Sequence, residues 1–332
     1  MRRLLIASIL LVAGAARVSA ADEPVKLARH GSEIEIVVGG KPFTAFYFGP
    51  NSPKPYLHPL RTAQGTIVTR GFPMVANIPG ESHDHPHHRG LYFAHGDING
   101  VDFWGEQVQT RKQQTTGGKY YANSEELPKG RTVFRKLEKM ESGPDSATLK
   151  ADFDLVGPDG KVMATETQEY VFSGDSNTRT IDCAFTITAN HGPVKMGDTK
   201  EGTFAIRVAQ ELTGSKVQML NSNGKVGEKE IWGKRADWVD YSGTVAGEKL
   251  GIAIFDNPQN LRHPTTWHAR DYGLFAVNPF GEHDFYNDPK RDGSYTIDPG
   301  KTLTFRYRVI IHHGDAAEAH IAEAYRSYTA GK

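Results

Sequence analysis

One pattern recurs along most of the chain and limits what it can fold into: apolar and polar residues alternate with a period of two. In Arg179 to Thr188, "RTIDCAFTIT", Ile181, Cys183, Phe185 and Ile187 alternate with Asp182, Ala184 and Thr186, as in a strand with one buried face. "SEIEIVV" and "KPFTAFYFG" repeat the pattern across a Gly-Gly turn, and "ATLKADFDLVGPDGKVMATETQEYVF" reads as a hairpin turning at Gly157 to Gly160. Further strands are expected in "GTIVTRGFPMV", "GLYFAHG", "TFAIRVAQEL", "KLGIAIFDN" and "TLTFRYRVIIHHG". Only "DAAEAHIAEAYRSYTAG" has helical spacing, with Asp315 as its expected N-cap and the helix packed on a sheet edge. The fold class that follows is all-β, a large antiparallel β-sandwich with a short C-terminal helix.

The first residues are read separately. Arg2 and Arg3 precede the apolar run Leu4 to Ala16, and Val18-Ser19-Ala20 places small residues where a signal peptidase cuts, so residues 1–20 are expected to be a signal peptide. No later stretch has the roughly 18 to 20 apolar residues that cross a bilayer. The expected product is residues 21–332 as a single domain, secreted or periplasmic, with no membrane insertion once the signal is removed. Cys183 is the sole cysteine, which excludes an intrachain disulfide and reads as a core thiol. Thirty-nine acidic and thirty-nine basic residues balance without a basic run, so no nucleic-acid partner is indicated.

Chemistry is concentrated in "ESHDHPHHRGLYFAHGDINGVDFWGE", Glu81 to Glu106, which carries five of the fourteen histidines. His83, His85 and His87 are spaced by two, which on an extended backbone aligns three imidazoles on one side, a donor set for a divalent metal. Pro86 favours extension at His85, whereas Arg89 beside the cluster would repel a cation. Metal-free acid/base work and a structural loop are the other readings. His88, next to Arg89, and His95, at the end of its strand, are the candidate proton donors or acceptors, with Arg89 to hold a substrate oxygen. A polar network closing the strand ends would use the same residues. Asp102 is either a substrate contact or a turn former, and Trp104 either a stacking wall or core.

A second concentration lies in Asn257 to Phe285, "NPQNLRHPTTWHARDYGLFAVNPFGEHDF", with Arg262, Trp267, His268, Glu282 and His283. Aromatic rings beside hydrogen-bonding groups suit a sugar, which has an apolar ring face and a rim of hydroxyls. The two segments are expected to meet in one cleft. A third, "GDTKEGTFAIR", with Asp198, Lys200, Glu201 and Arg207, reads as ordinary surface.

"HPHHRGLYFAHGDINGVDFW", "DTKEGTFAIRV", "NPQNLRHPTTWHARDYGLFAVNPFG" and "GKTLTFRYRVIIHHGD" together resemble the secreted bacterial proteins labelled PmoA-like. The Gly before a long strand ending in "IIHHG" is also similar to the last strand of galactose-mutarotase-like β-sandwiches, and implies that supersandwich architecture. The resemblance implies a secreted, carbohydrate-related setting. Methane oxidation and copper are not carried over, because a methane monooxygenase subunit spans the membrane.

The expected function is a secreted carbohydrate-active enzyme, a hydrolase, lyase or isomerase using histidine and carboxylate acid/base catalysis. His88, His95 and Glu282 would be catalytic, with Arg89, Asp102, Trp104, Arg262, Trp267, His268 and His283 binding the substrate. No cofactor is expected. The alternatives are a metal-dependent enzyme built on His83, His85 and His87, and a noncatalytic glycan-binding module.

Overall fold

A computed structural model of the chain describes residues 21–106 and 127–330. The expected signal peptide lies outside the described residues. The alternating segments form two large antiparallel sheets. The first has nine strands, in the edge-to-edge order Val25–His30, Glu33–Val38, Lys41–Tyr47, Tyr56–Leu57, Leu91–His95, Gly202–Arg207, Leu274–Val277, Thr265–Ala269 and Arg235–Ala236. The second has eight, in the order Gln218–Asn221, Trp238–Val245, Glu248–Asp256, Thr302–His313, Thr178–Thr188, Val162–Gly174, Ser146–Val156 and Arg131–Glu141.

The period-two pattern explains how they stack. From the second sheet, Ile181, Phe185, Phe305 and Val309 turn inward, and from the first, Phe46, Leu91, Phe93, Phe204 and Phe275 meet them in one apolar cluster. Phe93 stacks on Phe185 with ring centres 4.4 Å apart, and Phe204 on Tyr307 at 4.8 Å. Cys183 is buried, as its pattern implies. Burial of such rings out of water supplies the main driving force for closing the sandwich.

Two segments depart from the expected elements. "GTIVTRGFPMV" forms only isolated bridges, Arg61 to Ile67 and Thr69 to Val208, because the buried Arg70 side chain bonds the loop carbonyls of Phe72, Asp84 and His85 and Gly71 begins a loop. The C-terminal helix starts at Ile321, later than expected. Asp315 caps the preceding turn, accepting from the Ala317 and Glu318 amides, and His320 at φ 54° interrupts the chain before the helix. Ile321 and Tyr328 then pack on Trp238 and Phe255, on the outer face of the second sheet rather than at its edge.

One polar ladder enters the core. Glu166, Gln168 and Tyr170 follow each other on the inward side of Val162–Gly174, with Gln168 Nε2 donating to Glu166 Oε1 at 2.6 Å and the Tyr170 hydroxyl to Gln168 Oε1 at 2.7 Å. Burial pushes the Glu166 carboxyl up to about 7 from 4.5. A raised carboxyl stabilises the fold fully below its unfolded pKa, and that contribution is lost as pH rises through 7. Urea unfolding at pH 5 and pH 8 should therefore show a stability gap that Glu166→Gln narrows by about 2–3 kcal/mol. An unchanged gap would mean that the carboxyl does not govern it.

Candidate functional site

The pleat of the first sheet sends every second side chain away from the core. On its outer face Tyr56, Tyr92, Trp104, Ala205 and Ala276 form a separate cluster, with Tyr272 packed against it. Short side chains at Ala94, Ala205 and Ala276 leave a floor on which loops can rest. The histidine loop, Glu81 to Gly90, lies there. It returns to the sheet through Gly90, at φ 52°, where an added Cβ would stand 2.2 Å from the Leu57 carbonyl oxygen. Only glycine fits that approach.

Arg70 holds the loop in place. Its guanidinium donates to the carbonyls of Phe72, Asp84 and His85 at 3.1, 2.8 and 2.9 Å, and to Asp84 Oδ1 at 2.6 Å. Arg207, on the outer side of Gly202–Arg207, donates to the same Asp84 oxygen at 2.7 Å and to His88 Nδ1 at 3.2 Å. Burial works against ionisation of Asp84, but His85 and the two guanidiniums hold its pKa well below the usual carboxylate range. Because a guanidinium has only donors, His88 Nδ1 must accept and the ring proton sits on Nε2. Burial, with the His87, His85, Arg207 and Arg70 charges behind it, keeps His88 neutral far below pH 6.5.

The expected row of three imidazoles does not form. His85 adopts φ 42°, which breaks the extended backbone that a spacing of two requires. His83 stacks on Phe72 at 4.6 Å, whereas His85 lies between His88 at 4.8 Å and Tyr272 at 5.3 Å in a parallel stack. Among the described residues no three His, Cys, Asp or Glu side chains are grouped to hold a metal ion.

The downstream segment reaches the same face through His268, as expected, but not through Trp267. On Thr265–Ala269, Trp267 turns into the core, where its Nε1 donates to the Ala236 carbonyl at 3.0 Å, and His268 turns outward. His268 Nδ1 donates to the Lys200 carbonyl at 2.8 Å, so its Nε2 carries the lone pair. Burial lowers its pKa to about 4. Glu201, from the segment read as surface, stands close enough to His268 and His87 for each to influence its titration. Burial would raise its pKa, but the Lys200 ammonium, with His268 and His87, brings it down to about 2. Burial keeps His87 neutral as well, down to about 3.

The remaining expected site residues have structural partners. His95 sits on the core side of Leu91–His95, its Nε2 donating to the Gly197 carbonyl at 2.9 Å and its ring against Phe280. Glu282 is held by Arg235 at 3.2 Å and Arg291 at 3.5 Å. His283 lies between Asp198 and Asp284, and Arg262 ties down the carbonyls of Pro279 and Ser294. Asp102 accepts from the Trp104 and Gly105 amides and pairs with Lys129, which makes it the turn former that presents Trp104. Arg89 is engaged by Glu106 through two bonds of 2.7 Å, and Lys54 donates to Glu106 at 3.0 Å.

The buried polar atoms without a hydrogen-bond partner among the described residues include, on this face, His88 Nε2, Trp104 Nε1, the Tyr92 hydroxyl and Arg207 Nε. The rings are neighbours, Tyr92 to Trp104 at 4.9 Å and His88 to Trp104 at 5.8 Å. Buried donors are ordinarily satisfied, so this group of orphans makes the face the candidate place for a ligand or ordered water. The face therefore offers acceptors at Glu201 and His268, and donors at His88, Trp104 and Tyr92.

Fold and site together define an antiparallel β-sandwich with a polar, aromatic-walled site on the outer face of one sheet. Residues 33–326 match a family of unknown function, DUF6807, and the chain belongs to it. That description, and not the PmoA-like label, is the one the family comparison supplies. No curated protein sequence matches the chain. Among solved structures it is similar to a galactose mutarotase-like protein from Clostridium acetobutylicum, at 10% identity over 88% of this chain and 99% of that one, with a TM-score of 0.42. A galactose mutarotase related enzyme from Lactobacillus acidophilus shares 9% identity over 88% and 98%, with a TM-score of 0.32. A putative aldose 1-epimerase from Escherichia coli K12 shares 12% over 87% and 99%, with a TM-score of 0.31.

Asp84→Asn should leave two buried guanidiniums without their shared counter-charge. Because the Asp84 side chain is 37% exposed, the expected loss is about 2–3 kcal/mol, below that of a fully buried pair. Denaturant unfolding measures it, and a loss under about 0.5 kcal/mol, the usual effect of a surface substitution, would remove Asp84 as the anchor of the histidine loop.

Proposed function

We propose that the protein is a carbohydrate-active enzyme that moves a proton on a sugar held against the outer face of the first sheet. The observation that carries this reading is the convergence of Glu201 and neutral His268 with the donors His88, Trp104 and Tyr92 around aromatic rings. His268 Nε2 and the Glu201 carboxylate take up a proton, and His88, Trp104 and Tyr92 donate hydrogen bonds to substrate oxygens. Tyr92 and Trp104 offer the sugar ring an apolar wall. In this assignment His88 orients rather than titrates, since Arg207 occupies its Nδ1. Glu282 and His95 take no part.

A panel of oligosaccharides and free sugars, followed for new reducing ends, unsaturated products and anomeric or epimeric exchange by NMR, tests the reading. Glu201→Gln and His268→Gln should each lower turnover by roughly 10²- to 10⁴-fold with folding intact. Binding with no turnover in the unmodified protein would instead identify a glycan-binding module, and full activity in both variants would end the assignment.

The pH profile supplies an independent check. Glu201 and His268 are in their proton-accepting forms above about 2 and 4, respectively, so activity should fall only as pH drops through 4. An acid limb near 6.5 would point to an unburied histidine instead. Export is part of the same proposal, and N-terminal sequencing of the protein recovered outside the cytoplasm should begin at Ala21.

A further inference from the structure

The outer-face site has a charge imbalance that a neutral sugar would leave uncorrected. On one side of the orphaned donors, Arg70 and Arg207 share a single carboxylate, Asp84. On the other, Lys54 and Arg89 share a single carboxylate, Glu106. Both groups touch the donor residues themselves. Arg207 bonds His88, and Lys54 Nζ donates to the Trp104 carbonyl at 2.8 Å and lies 4.9 Å from the centre of the Tyr92 ring. Lys54, Arg70 and Arg207 are essentially inaccessible to solvent. Within ion-pair distance among the described residues, two cations therefore face one carboxylate on each flank of the patch, with Glu81 and Asp102 the next carboxylates out.

Buried charge without counter-charge is costly, and buried donors without acceptors add to that cost. A hydroxyl would satisfy the donors and leave the charge. A carboxylate satisfies both, because it accepts several hydrogen bonds and brings the missing negative charge. Resting on the function proposed above, we infer that the substrate is an acidic sugar, a uronate, whose carboxylate seats on His88 Nε2, Trp104 Nε1 and the Tyr92 hydroxyl between the two cation pairs. The sugar ring then extends from this patch toward Glu201 and His268. Burial lowers the Lys54 pKa even though Glu106, bonded to it, raises it, as expected of a cation short of counter-charge.

Calorimetric titration of the full chain tests this with four probes of matched length where applicable: uronate oligosaccharides such as oligogalacturonate and alginate fragments, neutral oligosaccharides, sulfated oligosaccharides, and acetate. Uronates should bind at least about tenfold more tightly than their neutral counterparts, the scale of one hydrogen bond to a charged group. Trp104→Phe and Tyr92→Phe, which keep the ring and remove one donor each, should lower uronate affinity about tenfold, lower neutral-sugar affinity by clearly less, and leave the melting temperature unchanged or higher. Preference for neutral or sulfated sugars, acetate binding as tight as that of uronates, or an unaltered uronate preference in both variants would each overturn the inference. Neutral sugars turned over in a Glu201-dependent way would overturn it while leaving the proposed function standing, whereas absence of any carbohydrate binding would overturn both.

Discussion

The ion pairs that Asp84 makes with Arg70 and Arg207 set the arrangement of everything on the outer face. A loop of polar residues has no apolar reason to lie on a sheet. Here it is drawn down because Arg207 rises from the sheet, Asp84 descends from the loop, and Arg70 ties the surrounding carbonyls to both. The same contact fixes the tautomer of His88 and stacks His85 on Tyr272. Position, protonation state and ring orientation thus follow from one half-buried carboxylate.

The second determinant is the pleat. Adjacent residues on one strand serve opposite purposes, so Trp267 fills the core while His268 faces the site, and His95 joins the core network while Tyr92 and Ala94 face outward. The alternation is strict enough that reactive character follows from parity. A histidine or tryptophan on the core face, His95 or Trp267, has structural work to do through a bond to one backbone carbonyl.

This separates what was legible in the sequence from what was not. Strands such as Thr178–Thr188 and the hairpin at Gly157 were readable because local alternation and turn chemistry agree with the tertiary fold. The histidine segment was readable as a polar concentration by composition, and the convergence with His268 followed from a sheet in which Gly202–Arg207 and Leu274–Val277 pair between the two segments. Glu201 and Arg207 read as surface charge because nothing local reveals that two loops cover them. Lys54 and Glu106 carry no local signal at all: they lie 52 residues apart and matter only as partners. The row of His83, His85 and His87 failed for a backbone reason, since φ 42° at His85 cancels the geometry that spacing alone implies.

Burial ties these observations to reactivity. Covering the outer face with loops removes water from His87, His88 and His268, which costs stability if they charge and therefore leaves them neutral. Glu201 resists the same pressure chiefly because Lys200 stands beside it, with His268 and His87 adding to the effect. The site consequently keeps its carboxylate ionised and its imidazoles uncharged across the neutral range, so that hydrogen-bond acceptors and donors are separated in space and not interchanged by protonation. Unpaired buried donors on such a face cost stability, and any group that supplies acceptors to them offsets that cost.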